Sequence, residues 1–154
     1  MTPRVSVIIP CRNEVRHIET CLLSILTQKT NIPFEILVAD GMSEDGTRKI
    51  VESYCRKYDF IRLLDNVEKI TPTALNIGIK NASGDIVMRM DAHAVYPGNY
   101  IRELTDWLQK SGADNVGGVC LTLPGNDSVV ANAISMGLSH PFGVGNSYFR
   151  IGTA

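Results

Sequence analysis

The feature of this sequence that most constrains its fold is the regular alternation of short apolar runs with longer amphipathic segments. The short runs are rich in β-branched residues, which is typical of strands buried on both faces of a sheet. The longer segments carry apolar residues three and four positions apart, the spacing of a helix with one buried face. Strands are predicted over residues 5–9, 34–39, 60–64, 86–90 and 116–121, and helices over residues 14–27 and 71–82, around Ile50 to Cys55, and around Tyr100 to Leu108.

Strands that alternate with helices predict an α/β fold, with a Rossmann-like, mainly parallel sheet and helices on both faces. A length of 154 residues predicts one domain with one core. Thr71 is predicted to cap the third helix ahead of Pro72, and Ser43 or Asp45 to cap the second. Beyond Leu123 no regular element is predicted, because glycine, serine, asparagine and proline become frequent.

Charge and cysteine content exclude several classes of protein. A net charge of −1 leaves no basic field for a nucleic-acid surface. The four cysteines lie far apart without a CxxC pair, which indicates reduced thiols and neither a zinc site nor a disulfide framework. No run approaches the ~20 apolar residues that cross a bilayer, and the first apolar run is too short for a signal peptide. We therefore expect a cytoplasmic location, at the inner face of the membrane if a longer parent protein carries membrane segments.

The usual phosphate-binding loops are missing from the sequence. No GxxxxGK[ST] occurs, and no GxGxxG follows the first predicted strand, which argues against a P-loop hydrolase and a dinucleotide dehydrogenase. A bound phosphate would then rest on a metal ion, on backbone amides or on basic side chains. Arg12, Lys69 and Arg89 are candidates, although each also fits a solvated surface charge.

Polar residues follow three of the predicted strands, at residues 10–14, at Asp40, and at Asp91 with His93. Because ligands of open α/β sheets bind outside the carboxyl ends of the strands, we expect these groups to meet in one crevice. If the segment at Asp91 is extended, its side chain and that of His93 point the same way and could face one ion. A carboxylate with an imidazole suits Mn²⁺ and tolerates Mg²⁺. The alternative is a strand-end aspartate that caps a turn beside a surface histidine.

Three other positions, Asp40, Asn76 and Gly78, keep two interpretations each. Asp40 either accepts a hydrogen bond from a nucleobase N–H or caps the loop that follows it. Asn76 and Gly78 lie in a predicted helix, whose interior disfavours both residue types, so close packing or the approach of a ligand is indicated. For Gly78 we favour packing.

Five segments, in this order, resemble family 2 glycosyltransferases of the GT-A fold. They are VSVIIPCRNE (residues 5–14), SILTQ (24–28), EILVADGMSEDGT (35–47), ALNIG with ASGD (74–85) and DAH (91–93), the last in place of the family's Asp-x-Asp. The resemblance covers residues 4–150. DAHAVYP (91–97) and PFGVGN (141–146) are most similar to bacterial exopolysaccharide transferases of the succinoglycan-biosynthesis type.

The resemblance implies a nucleotide-sugar-binding domain that uses Mn²⁺ or Mg²⁺ and usually takes a UDP-sugar. It also implies inverting transfer of the sugar to a hydroxyl of a saccharide or a lipid-linked saccharide. The residues carried over to nucleotide binding are Pro10, Arg12, Asn13, Glu14 and Asp40, the last at the base, and those carried over to the metal are Asp91 and His93.

The sequence departs from the family pattern at two site positions. Gly41 replaces the second aspartate of the family's Asp-Asp pair, and His93 replaces the last aspartate of the metal motif. Less negative charge therefore surrounds the expected metal, which affects both its affinity and its identity.

No catalytic base is identified. Inverting members carry an aspartate well after the metal motif, but the acidic residues that follow His93 here have no such context; they are Glu103, Asp106, Asp114 and Asp127. We expect the base beyond residue 154, in a longer protein of which this chain is the donor-binding part. A non-catalytic nucleotide-sugar-binding fragment is the alternative. A nucleotidyltransferase fits less well, because residues 12–14 are not the Gly-rich basic loop it would carry.

Overall fold

A computed structural model of the chain describes residues 4–145 and 147–151. The chain divides into two compact units, residues 1–105 and 106–154. The first unit contains the predicted alternation of strands and helices, with the last helix continuing into the second unit. Its elements are β1 (Val5–Cys11), α1 (Ile18–Leu26), β2 (Phe34–Asp40), α2 (Thr47–Cys55), β3 (Ile61–Asp65), α3 (Thr71–Asn81), β4 (Ile86–Arg89) and α4 (Tyr100–Ser111).

The described part of the chain forms one four-stranded sheet in the order β3-β2-β1-β4. Each neighbouring pair is parallel. The register pairs Cys11 with Asp40 and Asp40 with Asp65, so the carboxyl ends of three strands lie at the same edge. The prediction of a parallel α/β sheet is therefore confirmed.

Side chains of β1 alternate between two covered faces of the sheet. On one face, Val7 lies in a buried cluster with Leu22 of α1 and Val51 of α2. On the other face, Ile8 meets α3 so closely that a Cβ added to Gly78 would collide with the Ile8 side chain. Helices thus cover both faces, as predicted, and the packing interpretation of Gly78 is confirmed.

Two helices begin differently from the prediction. α1 begins at Ile18 instead of residue 14, and the residues before it form a turn in which the Glu14 carbonyl accepts from the Ile18 amide at 2.9 Å. The cap of α3 is Ile70, so the prediction of Thr71 was wrong. Asn66 decides this start, because its Nδ2 donates to the Ile70 carbonyl at 2.9 Å and Ile70 stays extended.

At the start of α2, only one of the two predicted capping residues, Ser43 and Asp45, contacts the helix. Asp45 Oδ1 accepts from the Thr47 amide at 2.9 Å, in the first turn of the helix. The helix itself is preceded by Gly46, whose φ of 108° is left-handed and suits glycine. Ser43 bonds elsewhere, so only Asp45 serves the helix start.

The predicted fifth strand is absent from the described residues, where 116–121 have no strand conformation. A strand needs a neighbour with which its backbone can pair. Here the Cys120 amide donates instead to the carbonyl of Phe149, a residue of the helix α7 (Tyr148–Ile151), at 2.7 Å.

The second unit contains short helices beyond Leu123, where no element was predicted. They are α5 (Val129–Leu138), α6 (Pro141–Val144) and α7 (Tyr148–Ile151). Ser128 caps α5 by accepting from the Ala131 amide at 3.2 Å. None of the three helices has a buried residue. Over the described residues, no helix combines the length and the apolar character that a membrane crossing requires.

Candidate functional site

The carboxyl edge of the sheet brings the predicted polar groups to one side of the first unit. The β1–β2 register ends at Cys11 and Asp40, and the Met90 amide extends β4 toward this edge by donating to the Ile8 carbonyl at 3.0 Å. The loop after β1, Asp40 and the segment after β4 therefore converge as expected. The hydrogen bonds of each of these groups determine which of its atoms could still bind a ligand.

Asp40 is fully buried, and donors from the protein surround its carboxylate. Oδ1 accepts from Ser43 Oγ at 2.5 Å and from Cys11 Sγ at 3.7 Å. Oδ2 accepts from the Ser43 amide at 3.0 Å and from Arg48 Nη1 at 3.4 Å. The loop-capping contacts are thus present, and a base N–H would have to displace one of these donors. Arg48 also bonds Asp65 at 2.7 Å, which raises the pKa of the guanidinium and keeps it charged.

The loop after β1 is bound to the loop after β2 by hydrogen bonds. Asn13 adopts a left-handed φ of 56°, donates its amide to Ser43 Oγ at 2.9 Å and accepts from the Glu44 amide at 3.0 Å. The Glu14 amide donates to Thr47 Oγ1 at 2.8 Å. The Asn13 side chain therefore holds the two loops together.

Gly41, at the position of the family's second aspartate, makes room for Arg12. A Cβ on Gly41 would lie 3.1 Å from Arg12 Cβ and 3.2 Å from Arg12 Cδ, tighter than ordinary van der Waals contact. The lack of a side chain at Gly41 thus leaves the space that the Arg12 side chain occupies.

Asp91 and His93 lie in a turn and not in an extended segment. The Ala94 amide donates to the Asp91 carbonyl at 3.1 Å, which closes the turn, so the expectation of an extended segment was wrong. Asp91 Oδ1 accepts from Arg89 Nε at 2.9 Å, and His93 Nδ1 lies 3.1 Å from Glu14 Oε1. Arg89 is thereby paired with a carboxylate, and Glu14 reaches the histidine of the metal motif.

A cavity of about 150 Å³ opens at this edge, between the end of β1 and the start of α3. It is lined by Pro10, Cys11, Arg12, Asn66, Lys69, Ile70, Thr71 and Ala74. The cavity thus includes two of the predicted nucleotide-binding residues, Pro10 and Arg12, and the phosphate candidate Lys69. Asn13, Glu14 and Asp40 do not line it.

Asn66, which sequence reasoning missed, lines the cavity and carries a buried acceptor. Its side chain is 2% exposed, and its Oδ1 has no hydrogen-bond partner among the described residues. Such an atom is costly to bury unless a ligand or water satisfies it. The signal was available, because Asn66 directly follows a strand, like the other site residues.

Cys11, also in the cavity wall, is a poor nucleophile. Burial, and next the neighbouring charge of Asp40, raise the pKa of its thiol far above the ordinary value. The thiol therefore stays neutral and donates to Asp40.

By donor type, the carboxylate of Asp91 and the imidazole of His93 suit a divalent cation that shares its coordination with a ligand. Within residues 4–145 and 147–151, no three His, Cys, Asp or Glu side chains form a metal-binding group. Mg²⁺ and Mn²⁺ are commonly held by one or two protein ligands plus substrate phosphates and water. His93 also has a carboxylate neighbour of the kind that orients many metal-binding histidines, since Glu14 Oε1 lies 3.1 Å from its Nδ1.

Comparisons with known proteins agree with one another. The family model described as Glycosyl transferase family 2 matches residues 6–147. The succinoglycan biosynthesis protein ExoA of Rhizobium meliloti (strain 1021) is 34% identical over 112 residues, which make up 71% of this chain and 34% of that protein.

Two solved structures share the fold. Mannosyltransferase PcManGT from Pyrobaculum calidifontis, in complex with GDP-Man and Mn²⁺, has a TM-score of 0.66 at 28% identity, over 89% of this chain and 40% of that chain. S. aureus TarS 1-349 in complex with UDP has a TM-score of 0.63 at 23% identity, over 80% of this chain and 38% of that chain. The chain thus spans less than half the length of each of these proteins.

Proposed function

Because the chain belongs to glycosyl transferase family 2, we propose that its first unit is the donor site of a glycosyltransferase of polysaccharide biosynthesis. It binds a nucleoside diphosphate sugar together with Mn²⁺ or Mg²⁺. In the complete enzyme, the sugar passes to a hydroxyl of a saccharide or lipid-linked saccharide with inversion.

The observation that carries the proposal is a cavity lined by Arg12, Lys69 and Asn66, the last of which has a buried Oδ1 without a hydrogen-bond partner among the described residues. A nucleobase presents N–H groups beside carbonyl oxygens, so it needs an acceptor next to donors. Uracil has one N–H between two carbonyls, which matches a single buried acceptor with two cationic neighbours. Asp40, whose oxygens already accept from Ser43 and Arg48, is the second candidate for this contact.

Guanine is the main competitor of uracil, because it also places N–H donors beside a carbonyl. PcManGT, at 28% identity, holds GDP-Man. The choice between UDP and GDP is therefore a direct part of the test.

The diphosphate would lie toward Asp91 and His93, which we propose as the metal ligands. A bound divalent cation would stabilise the charge that develops on the departing nucleoside diphosphate. Arg12 and Lys69, the basic side chains of the cavity wall, favour the electronegative oxygen atoms of the bound nucleotide. Arg89 Nε donates to Asp91 Oδ1 at 2.9 Å, so a metal ion would share this carboxylate with Arg89.

Transfer needs a base that deprotonates the acceptor hydroxyl, and we assign none. Glu103 is paired with Arg102 at 3.0 Å, and Asp114 and Asp127 are exposed. Binding and transfer are therefore separate questions, and the donor site is tested by binding.

Calorimetric titration with UDP and GDP, in Mn²⁺, Mg²⁺ or EDTA, tests the donor site. Inorganic pyrophosphate serves as a probe of the diphosphate end alone. We expect Asn66→Ala to lower the affinity for UDP about tenfold, equivalent to ~1.4 kcal/mol of binding free energy, and to leave the affinity for pyrophosphate unchanged. Asp91→Ala should lower the affinity for both ligands when Mn²⁺ is present.

Asp59→Ala, at an exposed turn outside the site, is the matched control and should bind like the native chain. If the folded chain binds none of UDP, GDP and dTDP in any metal, the proposed donor site is wrong. If Asp40→Ala abolishes UDP binding and Asn66→Ala has no effect, the base contact belongs to Asp40.

A further inference from the structure

The hydroxyl of Tyr96 contacts both backbone polar groups of Asp91. The Asp91 amide donates to Tyr96 Oη at 2.6 Å, and Oη lies 3.4 Å from the Asp91 carbonyl oxygen, to which it donates. The same carbonyl accepts from the Ala94 amide at 3.1 Å and from Cys21 Sγ at 3.5 Å. The peptide groups on both sides of the Asp91 Cα are therefore held.

Tyr96 is itself anchored to the core of the first unit. Its amide donates to Ser24 Oγ of α1 at 3.2 Å, and its ring packs against the buried cluster. The Tyr100 ring lies 5.0 Å away, centroid to centroid. Burial raises the pKa of the Tyr96 hydroxyl, so it remains a neutral phenol that can both accept and donate. Tyr96 thus connects the turn after β4 to α1.

The carboxylate of Asp91 depends on this backbone anchor. Its side chain is 42% exposed and pairs with that of Arg89, which is 56% exposed. A pair at such exposure contributes little to order. Ala92, the next residue, is 1% exposed and belongs to the buried cluster, so the turn is also held from within.

We propose that Tyr96 is a positioning residue for Asp91: its hydroxyl fixes the Asp91 backbone, and thereby directs the carboxylate toward a diphosphate-bound divalent cation. This inference rests on the proposed donor site. Tyr96 touches neither the metal nor the sugar nucleotide, and acts only through Asp91. The chemistry that it serves is retention of a hard cation by an exposed carboxylate.

Tyr54 provides a matched control. It is 6% exposed, and its hydroxyl donates to Glu19 Oε1 at 3.2 Å, between α2 and α1. Tyr54→Phe and Tyr96→Phe therefore each remove one bonded hydroxyl from a packed ring. A role confined to stability would give both variants similar properties.

The experiment measures Mn²⁺ affinity in the presence of UDP, by electron paramagnetic resonance of the free ion. UDP affinity in EDTA, the melting temperature and hydrogen exchange of the Asp91 amide are measured on the same samples. We expect Tyr96→Phe to weaken Mn²⁺ about tenfold or more, the usual effect of losing an outer-shell partner. The Asp91 amide should exchange faster, while UDP affinity in EDTA stays within about twofold of the native value. Tyr54→Phe should leave Mn²⁺ affinity unchanged.

Asp91→Ala separates failure of this inference from failure of the donor site. If Asp91→Ala weakens Mn²⁺ and Tyr96→Phe does not, Tyr96 has no positioning role. If Asp91→Ala has no effect, both the metal site and the inference are wrong. Should Tyr96→Phe not fold, Ser24→Ala removes the bond to the Tyr96 amide and is expected to weaken Mn²⁺ by a smaller factor. Native Mn²⁺ affinity in that variant would overturn the proposal.

Discussion

Glu14 Oε1 and His93 Nδ1 lie 3.1 Å apart, although the two residues are 79 positions apart in the chain. The Glu14 side chain is 22% exposed and that of His93 63%, so the pair lies at the rim of the site. A neutral histidine that donates Nδ1–H to the carboxylate has its lone pair on Nε2. In that tautomer, Nε2 would be free to bind a metal.

Replacing Glu14 should lower the affinity for the metal, because Glu14 contacts His93. We expect Glu14→Ala to weaken Mn²⁺ about tenfold in the presence of UDP, because the imidazole loses the partner that orients it. Glu14→Gln should have a smaller effect, since its amide oxygen can still accept from Nδ1–H. Mn²⁺ titration followed by paramagnetic resonance measures the affinity, and ¹⁵N NMR of the imidazole reports the tautomer. Glu19→Ala, at the Tyr54 contact, is the control.

A different result would restore the role first predicted for Glu14. If Glu14→Ala weakens UDP in EDTA while Mn²⁺ affinity is native, the carboxylate lines the nucleotide pocket and does not act through His93.

Restoring the family's carboxylate at position 93 should change the choice of metal. His93→Asp replaces a nitrogen donor by an oxygen donor, which favours Mg²⁺ relative to Mn²⁺. In His93→Asp, the new carboxylate would also lie beside the carboxylate of Glu14, and the two like charges would repel each other in the metal-free protein. Glu14→Gln removes this repulsion. We therefore expect the ratio of Mg²⁺ to Mn²⁺ affinity to rise about tenfold in His93→Asp/Glu14→Gln, equivalent to ~1.4 kcal/mol. An unchanged ratio in both variants would exclude His93 as a ligand.

A side chain at position 41 should displace Arg12 from the cavity wall. The Cβ of Gly41→Ala would press on Arg12 Cβ and Cδ, and we expect UDP affinity to fall about tenfold, the value of one hydrogen bond to a charged group. Arg12 is exposed, so the melting temperature should change little. Calorimetry of Gly41→Ala, Arg12→Ala and the double variant measures the coupling. Additive losses would contradict the proposed path of Arg12.

Adding one methyl group at Gly78 should destabilise the first unit. The added Cβ collides with Ile8, and overpacking of this kind costs about 1–3 kcal/mol. That cost exceeds the gain of about 1 kcal/mol that alanine brings to a helix interior. Urea unfolding of Gly78→Ala measures the change. In an Ile8→Ala background the cost should shrink, and a stabilised Gly78→Ala would show that α3 can move away from the sheet.

Acid should weaken the buried cluster around Glu35. Burial alone would raise the pKa of Glu35, but hydrogen bonds from Ser83 and Ser6 outweigh it and lower the pKa below its ordinary 4.5. A lowered pKa means that the charged form is favoured in the folded chain, so its contribution to stability is present above pH 4.5 and is lost as the pH falls through the folded pKa.

Glu35→Gln tests this dependence by urea unfolding between pH 7 and pH 3. We expect the variant to be less stable than the native chain at pH 7, with a difference that narrows below pH 4.5. Glu68→Gln, at an exposed position, is the control. A constant difference over the whole range would show that the Glu35 charge makes no contribution.

Much of the fold follows from local patterns. The strands and helices of the first unit, and their parallel order, were predictable because apolar periodicity records which face of each element is buried. The convergence of Asp40, Asp91 and the loop after β1 at one edge was predictable too, because parallel strands all end on the same side. Helix starts were less predictable, as Thr71 shows, because they depend on individual hydrogen bonds such as that from Asn66 to the Ile70 carbonyl.

Two sequence patterns whose backbone conformation depends on hydrogen bonds to other residues were interpreted wrongly. Residues 116–121 have the composition of a strand, but they adopt no strand conformation. Asp91 and His93 have the spacing of an extended pair, but the Ala94 amide bonds the Asp91 carbonyl and turns the chain. In both cases the backbone conformation depends on a hydrogen bond that the sequence pattern does not show.

The sequence alone determined the α/β class, the parallel sheet and the edge at which the chemistry lies, since each depends on short-range periodicity. Only the tertiary structure decided the contacts within that edge. It joined Glu14 to His93, surrounded Asp40 with donors, and buried Asn66 Oδ1 without a partner among the described residues. The physical reason is that hydrogen bonds depend on ångström-scale distances between residues far apart in the chain, and packing of the whole unit sets those distances.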